Sequence, residues 1–69
     1  MELTQEEVIE LLRQRVAQRG SQVAVAIEAG VSAQHVSDVL LGRREIGRAI
    51  LTLLGVQRVI RYVAAGGRA

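Results

Sequence analysis

Cysteine is missing from this sequence of 69 residues, which removes both a disulfide framework and a thiolate metal site. Lysine is missing as well, so neither a thiol nor an amine nucleophile is available for covalent chemistry. Tyr62 is the sole residue among Phe, Trp and Tyr, which argues against a platform that stacks unpaired nucleobases. His35 is the single histidine; with no second His and no Cys beside it, it has no partners for a metal. No apolar run approaches the roughly 18–20 residues of a membrane span, and no signal-peptide pattern opens the chain, so a cytoplasmic protein is expected. The pair Gly66-Gly67 is followed only by Arg68-Ala69, with nothing to form a phosphate-binding helix. These absences point away from an enzyme and from any cofactor or metal, and no small-molecule ligand is evident.

What the chain does contain is aliphatic. Hydrophobic residues make up 49%, almost all Val, Leu, Ile and Ala, a composition suited to closely packed helices. The length is that of one domain, near the lower limit for folding without staples. The net charge of +2 hides a polarity. Residues 1–28 hold five Glu and three Arg, residues 29–41 hold only Asp38, and residues 42–69 hold six Arg and one Glu. Such a distribution can offer one face to an anionic partner, or can simply keep an aliphatic protein soluble.

Read in order, Thr4 followed by Glu7 forms a capping box and starts a first helix. Val8, Leu11, Leu12 and Val16 recur on one face of it, and Gly20 ends it. Glu6, Glu7 and Glu10 lie early and Arg13, Arg15 and Arg19 late, complementing the helix dipole, which accounts for these charges without a site. Ser21 caps a second helix that begins with Gln22. The stretch 22–41, QVAVAIEAGVSAQHVSDVLL, then organises the chain. Val25, Ala26 and Ala29 recur at helical spacing, Gly30-Val31-Ser32 interrupts, and Val36, Val39 and Leu40 resume the pattern. Gly30 suits a left-handed C-cap, Val31 can plug the angle between two helices, and Ser32 is a good N-cap. Small Ala26 permits close approach. Two helices crossing around such a turn form a helix-turn-helix.

Gln22, Val25, Ala26, Gly30, Val31, Ser32, Val36, Ser37, Val39 and Gly42 together resemble the phage-repressor and Cro-type (lambda-repressor-like) helix-turn-helix family. The spacing is free of insertions, although Val23, Ala24, Ile27 and Leu41 are apolar where that family is usually polar. The resemblance implies a mainly α, compact four-helix domain over residues 1–55 that binds double-stranded DNA. Gln22 is then expected against the DNA backbone, though a polar helix-start residue needs no such role. The third helix, from Ser32 to about residue 41, becomes the reader, with Ala33, Gln34, His35, Asp38 and Leu41 as candidate base contacts. Gln34 suits adenine, Ala33 a thymine methyl, and Asp38 a cytosine amino group despite its repulsion from phosphate. His35 serves equally as a surface residue or a contact. Ser32, Ser37, Arg43 and Arg44 join Gln22 as candidate phosphate contacts, with the Arg pair supplying most of the sequence-independent attraction.

A fourth helix is expected near residues 46–54, carrying Ile46, Ala49, Ile50, Leu53 and Leu54 and closing the core over helices one and three. Residues 56–65 form a C-terminal extension and residues 66–69 a frayed tail. VQRVIRYV at 56–63 has helical spacing but β-branched content, so a fifth helix and a strand paired across a two-fold axis are both open. Val56, Val59, Ile60, Tyr62 and Val63 are the candidate dimerisation residues. The expectation is a homodimer on a pseudo-palindromic operator, repressing by occupancy as the resemblance implies. The alternative is a helix-turn-helix module for protein–protein contact, antirepressor or antitoxin-like, motivated by apolar Val23, Ile27 and Leu41 on surfaces that DNA readers usually keep polar.

Overall fold

In the computed structural model, which describes residues 2–58, four helices follow one another: α1 Gln5–Arg19, α2 Gln22–Ala29, α3 Ala33–Leu40 and α4 Arg48–Leu54. The fold is mainly α, with no strand among the described residues. None of these helices is long and apolar enough to cross a membrane.

Local chemistry sets the helix starts. The Thr4 hydroxyl accepts from the Glu7 N–H at 3.1 Å, and the Glu7 carboxylate accepts from the Thr4 N–H at 2.8 Å. The capping box therefore satisfies two backbone donors that the first turn of α1 leaves open. Ser21 accepts from the Ala24 N–H at 3.1 Å and Ser32 from the His35 N–H at 3.0 Å, each turning an extended residue into a helix start.

One aliphatic core joins all four helices. Val8 and Leu12 of α1, Val25 and Ala26 of α2, Val36 and Val39 of α3, and Ile50 and Leu51 of α4 are buried together with Ile46. Leu12, Val25, Val36, Val39 and Ile50 are wholly enclosed, each contributing about 1.5–3 kcal/mol of transfer free energy. No polar residue is wholly buried in that interior among the described residues; the covered side-chain atoms left without a partner, Arg15 Nε and His35 Nε2, belong to half-buried residues. On α1 the buried face is narrower than expected: Leu11 and Val16 are half-buried, and Ile9 packs against the core from the side.

The fourth helix differs from expectation in start, face and neighbours. It begins at Arg48, two residues after Ile46, with Gly47 as an N-cap that has no side-chain hydrogen bond. Gly47 would cost conformational entropy inside a helix, whereas extended backbone there lets Ile46 reach the core from the preceding loop. The carbonyl of Ile46 accepts from the Arg58 guanidinium at 2.8 Å in a half-buried hydrogen bond. With Ile46 off the helix, the buried pair is Ile50 and Leu51, while Ala49, Leu53 and Leu54 are half-buried. The backbone of α4 lies alongside α1 and α2, not α1 and α3.

Beyond α4, Val56–Arg58 belong to neither helix nor strand. The Val56 N–H bonds to the Leu51 carbonyl at 2.9 Å and its side chain packs on the chain's own core. The choice between strand and helix for the rest of 56–63, and the roles of Val59, Ile60, Tyr62 and Val63, lie outside the described residues.

Gly30 offers a clean test of how the second helix ends. Its φ is +75°, and a Cβ added there meets nothing within 4 Å, so substitution costs backbone strain alone. Gly30→Ala is expected to lower unfolding free energy by about 1–2 kcal/mol in urea melts, and Gly30→Asn by less.

Candidate nucleic-acid interface

Three residues turn the chain from α2 into α3. Gly30 adopts φ 75° and ψ 30°, and its N–H reaches the Ile27 carbonyl at 3.3 Å. The Val31 N–H then bonds to the Ala26 carbonyl at 3.0 Å, completing a Schellman closure, while the Val31 side chain packs against the core. Ser32 is already the cap of α3, and its carbonyl accepts from the Val36 N–H at 3.2 Å. Every residue of the turn thus has a structural duty. Ala26, 3% exposed, lies under this junction, where α2 and α3 pack most extensively.

Burying Val36 and Val39 decides which side of α3 faces outward. Gln34 and Leu41 are exposed, and Ala33, His35, Ser37 and Asp38 are half-buried at the edges of that face. Gln34 is not free-standing: its Nε2 donates to Asp38 Oδ1 at 2.8 Å, one helical turn away. His35 is turned toward the following loop, with Nδ1 3.4 Å from Arg44 Nη1. A guanidinium can only donate, so this contact is a hydrogen bond only when the imidazole proton sits on Nε2. Nε2 is covered and has no partner among the described residues. Ser32 keeps a hydroxyl hydrogen to donate, since its oxygen accepts in the cap. Gln22, at the first position of α2, is exposed.

The exit from α3 repeats the closure seen at α2. Gly42, at φ +75°, donates to the Val39 carbonyl at 3.1 Å, and the Arg43 N–H bonds to the Asp38 carbonyl at 2.8 Å. This delivers Arg43 and Arg44 to the surface beside the C-terminal end of α3, where cations also complement the helix dipole. Neither they nor Arg48 forms an ion pair among the described residues.

The arginines of α1 are arranged otherwise. Arg13 pairs with Glu10 at 2.6 Å, while Arg15 and Arg19 both reach one oxygen of Glu28, at 3.2 and 2.9 Å. That shared carboxylate ties α1 to α2, a role the sequence reading missed by assigning the α1 charges to the helix dipole alone. The available signal was that Glu28 is the only charged residue of α2. The three arginines of α1 are thus paired within the first half of the molecule, whereas Arg43, Arg44 and Arg48 have no ion pair among the described residues. No family model, curated protein or solved structure matches this chain. Function has to be read from the side chains themselves.

The surface is not uniformly polar. Val23 is 55%, Ile27 76% and Leu41 61% exposed, so three of the four apolar departures noted in the sequence lie in solvent, while Ala24 is half-buried.

Glu28→Ala separates scaffold charge from surface charge. It is expected to lower stability by about 1 kcal/mol or less, with the difference shrinking in high salt. Backbone chemical shifts of α3 and of Arg43 and Arg44 should stay in place.

Proposed function

We propose that this chain is a sequence-specific double-stranded DNA-binding transcriptional regulator, a cytoplasmic helix-turn-helix protein of the phage-repressor and Cro type. The observation that carries the reading is the pairing of an outward face on α3 with two arginines at its exit that form no ion pair among the described residues. A helix of that kind can enter the major groove with its N-terminal residues at the base edges. Arg43 and Arg44 then neutralise phosphates, releasing counterions and supplying affinity that does not depend on sequence. Gln22, Ser32 and Ser37 add directional bonds to the backbone and set register. Gln34 and Ala33 occupy the positions for direct reading, the first suited to adenine and the second to a thymine methyl. His35 and Leu41 flank them.

One α3 spans only a few base pairs. Two copies related by a dyad read half-sites about 34 Å apart, which raises specificity without new contacts within either copy. Val56, Val59, Ile60, Tyr62 and Val63 are the residues proposed to bring the copies together on a pseudo-palindromic operator. Occupying that operator would block transcription from it.

A second reading is favoured by a specific observation. Val23, Ile27 and Leu41 place apolar area where a phosphate-facing surface is normally polar. A protein–protein module, antirepressor or antitoxin-like, would use them directly.

Selection from randomised duplex DNA at near-physiological salt distinguishes the two. An enriched palindrome is expected; enrichment of a lone half-site would remove the dimer, and no enrichment by folded protein would overturn DNA reading. On the selected duplex, replacing Arg43 and Arg44 together by Ala should reduce the slope of log affinity against log salt by about two. The loss should be similar on all duplexes, and an unchanged slope would displace the phosphate contacts from this loop.

A further inference from the structure

We infer that Asp38 is a positioning residue that orients Gln34 for base reading and does not itself read a base; the inference rests on the DNA-binding function proposed above. Gln34 and Asp38 stand one turn apart on the outer side of α3, joined by the 2.8 Å bond from Gln34 Nε2 to Asp38 Oδ1. Residues four apart on a helix are neighbours, so the bond needs no distortion. Its consequence lies in what remains of the amide. A primary amide nitrogen carries two N–H groups, and the carboxylate takes one. One N–H and the carbonyl oxygen are left side by side, the donor–acceptor pair that adenine requires at N7 and N6.

The carboxylate also decides which way the amide points. Turning it over would bring the Gln34 oxygen against an anionic oxygen that only accepts, so the flipped state is repelled. An unrestrained Gln would sample several rotamers and both amide orientations, losing that freedom on binding. The pair itself stabilises the helix only slightly, and the acid carries opposing costs. Asp is a poor residue for a helix interior, and a negative charge in the latter half of an eight-residue helix opposes its dipole. Direct reading by Asp38 would fall to its second oxygen, Oδ2, and would hold an anion close to phosphate.

The test combines a measurement without DNA and one with it. Side-chain 15N relaxation on the free protein should show the Gln34 amide more ordered than those of exposed Gln14 and Gln18, and equally mobile in Asp38→Ala. Equal mobility in the wild type would overturn the inference whether or not DNA is bound. On the selected operator and its single-base-pair variants, Asp38→Ala and Gln34→Ala should weaken discrimination at the same base pair, by roughly tenfold for a lost bidentate contact. The double variant should be no worse than Gln34→Ala. Asp38→Asn retains an acceptor oxygen and should keep the preference. A change at a different base pair in Asp38→Ala would make Asp38 a direct reader. Asn behaving like Ala, or unaltered discrimination in Asp38→Ala, would also overturn positioning. Failure of wild-type protein to enrich any duplex would instead remove the DNA-binding function, with melting curves of each variant confirming that it is folded.

Discussion

Packing of Val25 and Ala26 against Val36 and Val39 holds α2 and α3 together across a turn of only three residues. All four are buried, and the helices approach closely because Ala26 has almost no side chain to separate them. The turn supports that packing from outside: Gly30 and Val31 close α2, and Ser32 opens α3. With no aromatic ring in the core among the described residues, stability there has to come from many small aliphatic contacts at high packing density. Loss of the α2–α3 contact would therefore remove both the centre of the core and the orientation of the outward face of α3.

Charge is partitioned along the same architecture. Glu28 receives Arg15 and Arg19 and links α1 to α2, so positive charge in the first half is largely matched within the molecule. Around α3 the opposite holds, with Arg43 and Arg44 brought to the surface by the closure at Gly42. Ion pairs near the surface contribute little to stability, but two cations without an ion pair among the described residues are a long-range feature for an anionic partner. The exposed apolar side chains of Val23, Ile27 and Leu41 work against a purely electrostatic account of that surface. They can contact DNA sugars or a protein, and the selection experiment separates those uses.

The capping box at Thr4 and Glu7, the serine caps at Ser21 and Ser32, and the glycine ends at Gly20 and Gly30 were all legible in the sequence. Each depends on residues within a few positions of one another and on the backbone preference of one residue, so the order of neighbours suffices to specify it. The same locality made Val36 and Val39 recognisable as the inner side of α3, leaving Gln34 and Leu41 outside. Tertiary structure decided the rest. Ile46 reaches the core from the loop before α4, because a glycine at 47 disfavours extending the helix back to it and the hydrophobic interior rewards the side chain wherever its backbone lies. Leu51 is buried because α4 packs beside α1 and α2, a placement that helical periodicity does not encode. Glu28 meets Arg15 and Arg19, and His35 meets Arg44, only because separate segments converge. Spacing already put Gln34 and Asp38 one turn apart, but their bond became apparent only when the rotamers were set in space. Local hydrogen bonding and residue geometry thus determined where helices start and stop; burial of side chains distant in sequence determined which surfaces they were left to offer.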